Sequence, residues 1–168
     1  MKPTKITALI AYAAATTILG FGTSAFLVRS GFAQPVSPTN LLITLPVIAA
    51  VLVIMALPIL RYRAAIKRVI EKPETAKTNP PKRVDPFFAL RVAMLSKAVA
   101  ISGSIFLGWH AGVLIALVRA PEVESGSVWR QVFGLLGSIA LIVAGLIVEN
   151  SCKVPPDATP PDVEASAA

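Results

Sequence analysis

The chain has 168 residues, of which 55% are hydrophobic and only 15% charged, with a formal net charge of +7. A soluble domain carries roughly 25% charged residues; here the apolar excess falls in four blocks, which argues for one membrane domain over a greasy soluble core. The charge does not indicate nucleic acid, because Arg61, Arg63, Lys67, Arg68, Lys72, Lys77, Lys82 and Arg83 crowd one segment whose only aromatic is Tyr62, too little for a base-stacking platform.

The first block runs from Ile6 to Val28, and its only polar residues are Thr, Ser and one Tyr. It is long enough for a hydrocarbon core of roughly 30 Å. The rival reading is a secretory signal, with Lys2 and Lys5 in front and Gly31-Phe32-Ala33 as a cleavage site. The apolar stretch exceeds the usual signal length of about 7–15 residues, so a retained span is favoured. The second block, Leu41 to Leu60, follows candidate N-caps Ser37, Thr39 and Asn40. Pro46 and Pro58 fall inside it; membrane helices tolerate proline, and bends are expected there. The run Arg61 to Glu71 extends the helix until Pro73 stops it. Lys72 to Pro86 reads as a flexible loop.

The third block is the longest, Phe88 to Val118, and the fourth, Val132 to Val148, is short. The expected fold is therefore an all-α, four-helix membrane bundle over residues 1–154, with a basic cytoplasmic loop. Residues 155–168, rich in Pro, Asp and Ala, read as a disordered tail. With both termini inside, Lys2, Lys5, the eight basic loop residues and Lys153 are cytoplasmic, and only Arg29, Arg119 and Arg130 are outside, as the positive-inside rule requires. Arg61, Arg63, Lys67 and Arg68 then face the lipid headgroups. The single cysteine, Cys152, follows the last block and reads as a reduced structural thiol at the inner face.

In lipid, small residues and occasional polar contacts hold helices together. Ser96, Ala100, Ser104, Gly108, Gly112 and Ala116 form such a ridge on the third span, with a GxxxG at Gly108–Gly112. Packing within the chain's own bundle is favoured over homodimerisation through this motif. Lys97 lies roughly 10 Å along the helix from Leu90, on the side of Ser104 and Gly108. Glu149 ends the fourth span near the same boundary, sharing a face with Ser138, Ile142 and Gly145. An intramembrane Lys97–Glu149 ion pair is the leading expectation. Snorkelling of Lys97 to the headgroups is the bland alternative, and proton or ion transport the third. His110 points elsewhere, with no His, Cys or carboxylate nearby in sequence to complete a metal site. It reads as a polar interface residue, and Arg91 as reaching the inner headgroups. No nucleophile–base–acid set, metal cluster or cofactor motif is present in the sequence, so no enzyme is expected.

The segments Leu95-Ser96-Lys97-Ala98, Gly108-Trp109-His110-Ala111-Gly112 and Glu149-Asn150-Ser151-Cys152-Lys153-Val154-Pro155, with Arg83-Val84-Asp85-Pro86, carry a likeness over nearly the whole chain. They resemble the landmarks of an actinobacterial integral-membrane family of unknown function. Ser96 and His110 depart from its pattern, where alanine and tyrosine are expected. The resemblance implies four spans in a bacterial plasma membrane and genes often beside those of folate biosynthesis; it supplies no catalytic residue or cofactor. The functional expectation is a small structural or accessory protein working through lipid and membrane-protein contacts, itself included. The alternative is an oligomeric transporter or channel subunit using Lys97 and Glu149.

Overall fold

A computed structural model describes residues 4–71, 85–120 and 125–152. Among them there are four α-helices and no strand: α1 (Ile6–Arg29), α2 (Thr39–Glu71), α3 (Pro86–Val118) and α4 (Ser125–Ser151). All four are long and apolar enough to cross a membrane, which fits a multi-pass membrane protein. The tail from residue 155 and residues 72–84 of the basic segment lie outside the described residues.

Local chemistry sets the helix ends. Gly31, at φ 79, takes the left-handed conformation that stops α1. Phe32 N–H then reaches Leu27 O at 2.9 Å, and Gly31 N–H reaches Val28 O at 3.1 Å. This is a Schellman stop, which satisfies two otherwise orphaned carbonyls. The Gly31-Phe32-Ala33 run read as a rival cleavage site is thus a helix cap in the folded chain. At the start of α3, Asp85 accepts from Phe87 N–H at 2.9 Å and Pro86 occupies the first turn. A proline there forfeits no helical bond and presets φ. α2 runs unbroken through Pro46 and Pro58 and on to Glu71, so Arg61, Arg63, Lys67 and Arg68 stand on a helix and not in a loop. α4 starts seven residues before the expected Val132, at Ser125, and ends at Ser151. The hydropathic block excluded Arg130 and Gln131, yet their backbone continues the helix.

The helices are not arranged in chain order. α3 packs closely on both α1 and α4, and α2 packs mainly on α4. Among the described residues α1 and α2 make no close contact, so the sequence across the bundle is α1, α3, α4, α2. Register follows from the glycines. Gly108 faces Ala13 and Thr16, while Gly112 faces Thr17 and Phe21, so α1 and α3 run the same way. Gly145 lies against Ser96 and Ala100, Gly103 against Leu141 and Ile142, and Gly134 against His110; α4 therefore runs against α3. The start of α1 and the end of α4 lie at one end of the bundle, here called the terminal end. The α1–α2 connection crosses the opposite, far end.

Two kinds of contact hold this arrangement. On the α2 side, Leu45, Ala49, Leu52, Ala56 and Ile59 are buried against Val92, Val99, Leu141, Ala144 and Val148. Their alternating four- and three-residue steps form a heptad seam. On the α1 side, backbones approach closely enough that a Cβ on Gly20 would lie 2.7 Å from Trp109 O. The ridge Ser96, Ala100, Ser104, Gly108, Gly112 and Ala116 is buried throughout. Its members divide between neighbours: Ser96 and Ala100 lie under α4, whereas Gly108 and Gly112 lie under α1. The serines behave as small residues because each donates within its own helix, Ser96 to Ala93 O at 2.9 Å and Ser104 to Ile101 O at 2.7 Å. The GxxxG surface is consequently occupied inside the chain. Large apolar residues that remain exposed, such as Ile10, Ile18, Phe26, Ile43 and Ile54, cover the outer faces of α1 and α2, as lipid contact demands.

Candidate functional site: two polar clusters at opposite ends of the α3–α4 seam

At the far end, Ser37, His110 and Gln131 meet below the surface. Ser37 comes from the α1–α2 connection, His110 from α3 and Gln131 from α4. His110 and Gln131 are 0% exposed and Ser37 is 6% exposed. His110 Nδ1 lies 2.7 Å from Gln131 Oε1; with the amide so oriented, Nδ1 carries the proton and donates. The Ser37 hydroxyl donates to Gln131 Oε1 at 3.3 Å and lies 3.2 Å from His110 Nδ1. Gly134 makes the room, since a Cβ there would lie 2.5 Å from His110 Cε1. His110 Nε2 and Gln131 Nε2 are buried without a hydrogen-bond partner among the described residues.

Sequence reasoning placed His110 at the interface and Ser37 as an N-cap of α2. The structure adds that the imidazole is buried between α3 and α4, and it corrects Ser37, whose hydroxyl is directed to His110 and Gln131 and not to the start of α2. Gln131 was missed altogether, because it sits just before the hydrophobic block. The available signal was the polar and small stripe Ser127, Gln131, Gly134 and Ser138 at helical spacing, which marks one face of α4. Beside this cluster, the Arg119 guanidinium stands 5.6 Å from the Phe21 ring centre, a cation–π contact tying the end of α3 to α1.

At the terminal end, Glu149 is only 9% exposed. Its Oε1 accepts from the Thr4 backbone N–H at 2.7 Å. Thr4 lies just before α1, whose first turn holds no acidic residue and whose N-cap, Lys5, makes no side-chain cap bond. The carboxylate therefore supplies the negative charge that a helix N-terminus favours. Glu149 Oε2 is buried and makes no hydrogen bond among the described residues. Lys97 is half-buried on α3, one residue past Ser96, and so near the depth of Glu149. Thus the structure brings Thr4, Lys97 and Glu149 to one end of the bundle, and the Thr4–Glu149 hydrogen bond was not foreseen. Arg91 is exposed.

Arg63, expected to face headgroups, is half-buried and donates from Nη1 to Asn150 O at 2.9 Å. It satisfies a carbonyl at the C-terminal end of α4, where a cation is favoured. Arg61, Lys67 and Arg68 are exposed. Cys152, in the turn after α4, is half-buried; burial pushes its thiol above the ordinary range, and the Arg63 charge partly opposes this. Its thiolate, the reactive form, is correspondingly scarce at neutral pH. Maleimide labelling of the folded protein at pH 7 should therefore be slower than after unfolding in sodium dodecyl sulfate. The folded rate should climb as pH rises towards the elevated pKa. Equal rates at pH 7 would contradict this placement.

Among the described residues, no group of three His, Cys, Asp or Glu side chains is placed to hold a metal ion. No curated protein and no solved structure matches the chain. A family model described as "protein of unknown function (DUF3180)" matches residues 7–156, nearly the full length of the four-helix domain, and the chain belongs to that family.

Proposed function

We propose that this is a structural or accessory protein of the bacterial plasma membrane, with both termini cytoplasmic, acting by contact with lipid and with other membrane proteins and not by catalysis. The observation that carries the reading is the closure of the α3–α4 seam. Cβ atoms at Gly103, Gly134 and Gly145 would fall 2.5 to 2.9 Å from atoms of the facing helix, so the polar clusters at the two ends have no open passage between them along this seam. Meanwhile, among the described residues, α3 is the one helix packed on α1, leaving the rest of its surface for lateral contacts. The basic residues Arg61, Lys67 and Arg68, exposed on the terminal end of α2, would lie against anionic headgroups, each contributing about 1 kcal/mol. The orientation rests on the placement of Lys and Arg, and the bacterial setting on the family resemblance.

A second reading, transport of protons or ions through an oligomer using Lys97 and Glu149, draws support from the buried Glu149 Oε2, which has no hydrogen-bond partner among the described residues. The variants Lys97→Met, Glu149→Gln and their double combination separate the two. A structural role predicts that the singles lower stability in detergent and that the double recovers part of the loss. Unchanged stability with abolished proton-coupled flux in liposomes would overturn the accessory reading. That reading also expects a photocrosslinker at Ile10 or Ile18 to give one discrete protein adduct in native membranes; only lipid adducts there would count against it.

A further inference from the structure

α1 starts well short of the helix it packs on. Gly108 lies against Ala13 and Thr16, and Gly112 against Thr17 and Phe21, so Ile6, the first residue of α1, falls near the level of Val99. α3 begins at Pro86 and therefore runs roughly 20 Å past the start of α1, at 1.5 Å per residue. Along α3, steps of four and three carry the α1-facing side from Gly108 through Ser104, Ile101 and Lys97 to Met94, Leu90 and Phe87. The last three are exposed, Phe87 by 74%. They prolong the α1–α3 interface beyond the point where α1 stops. The chain before α1 does not follow them at Thr4, whose N–H is drawn to Glu149 of α4 at 2.7 Å.

Depth and charge specify what covers this strip. Gly145 lies against Ser96 and Ala100, which puts Glu149, one turn further along α4, near the level of Met94. There the apolar runs of α2 and α4 give way to Arg61 and Glu149, so the strip lies at the bilayer boundary, among headgroups and the first acyl carbons. Arg91 is exposed and stands four residues from Phe87, on the same side of the helix. Lys5 is exposed at the head of α1. The nearby acid, Asp85, is turned back on the Phe87 N–H at 2.9 Å. An apolar strip beside a guanidinium at this depth matches an anionic phospholipid. Acyl carbons cover Leu90 and Met94, and the guanidinium takes the phosphate through paired N–H groups.

We propose that Phe87, Leu90, Met94 and Arg91 seat one anionic phospholipid, in line with α1 and beyond its first turn. This rests on the reading of the terminal end as the side where basic residues meet headgroups. A benzophenone-bearing phenylalanine is placed at Phe87 of the full-length protein, and as a control at Ile54, exposed midway along α2. Both proteins are reconstituted in vesicles of equal phosphatidylglycerol and phosphatidylcholine. The adduct ratio at Phe87 should favour phosphatidylglycerol about fivefold over the ratio at Ile54, the factor equivalent to the roughly 1 kcal/mol of one basic residue near an anionic surface. Arg91→Gln should bring the Phe87 ratio down to that of Ile54. Arg61→Gln, which removes an exposed charge from α2 at the same end, should leave it unchanged. Equal ratios at Phe87 and Ile54 overturn the proposal. So does a ratio that Arg91→Gln leaves intact, or one that both arginine variants lower alike, as a diffuse surface charge would. In native membranes the Phe87 probe should give lipid adducts; a discrete protein adduct would assign the strip to a protein and overturn the proposal as well. Lipid adducts at Ile54 in any of these cases leave the membrane reading standing.

Discussion

Replacing Gly112 with leucine should release α1 from the bundle. The new Cβ would run into the backbone of Thr17 and Phe21, and a backbone cannot rotate away as a flexible side chain can. Overpacking typically costs 1–3 kcal/mol, and a clash with main chain should put this variant at about 3 kcal/mol or above. Leucine is also a better helix former than glycine by somewhat under 1 kcal/mol, which offsets little of that loss. α1 has no other close helix contact among the described residues, so the damage is not shared out. Gly22→Leu is the control: it lies on α1 itself, the other helix of the same contact pair, yet a Cβ there meets nothing within 4 Å, and stability should be unchanged or slightly raised. Thermal unfolding in detergent compares the two. Coincident midpoints would show that the Gly112 contact does not hold α1.

His110→Ala should be the next most damaging change. It empties a space matched to an imidazole and removes the group bonded to Gln131 at 2.7 Å. Truncating a large buried side chain costs about 2–5 kcal/mol. The polar part of that loss is small, because interhelical hydrogen bonds in membranes average about 0.6 kcal/mol and rarely exceed about 2. Volume should therefore dominate over polarity, which gives a second expectation. The double variant His110→Phe with Gln131→Leu keeps the bulk and removes the polar pair from both helices together. It should recover most of the stability lost by His110→Ala, since replacing both partners with apolar groups of similar shape can be nearly neutral. Unfolding titrations in sodium dodecyl sulfate measure all three proteins. A double variant as weak as His110→Ala would mean that the hydrogen bonds, and not the packing, hold the far end together.

The two results depend on different levels of the structure, and they show how far the amino-acid sequence reaches. Four spans follow from the chain itself, because an apolar run of about 20 residues has only one low-energy way to place its backbone in lipid. The seam on α2 was not open to reading in this way, since Leu45, Ala49, Leu52, Ala56 and Ile59 lie in a run, Leu41 to Leu60, that is apolar on nearly every face, and only packing singles them out. Asp85-Pro86 and Gly31 carry their helix start and stop in their own chemistry.

Partner choice is another matter. A glycine ridge declares that some backbone comes close but not which one, and only the folded order α1, α3, α4, α2 gives Gly108 and Gly112 to α1 and Gly103 to α4. The same order sends the α1–α2 connection across the far ends of α3 and α4, which is why Ser37 meets residues 73 and 94 positions away. Glu149 likewise receives an N–H from Thr4, 145 residues earlier. Hydropathy records whether a side chain tolerates lipid. Which distant atoms satisfy a buried polar group is set by helix adjacency and register, and those exist only once the bundle has formed.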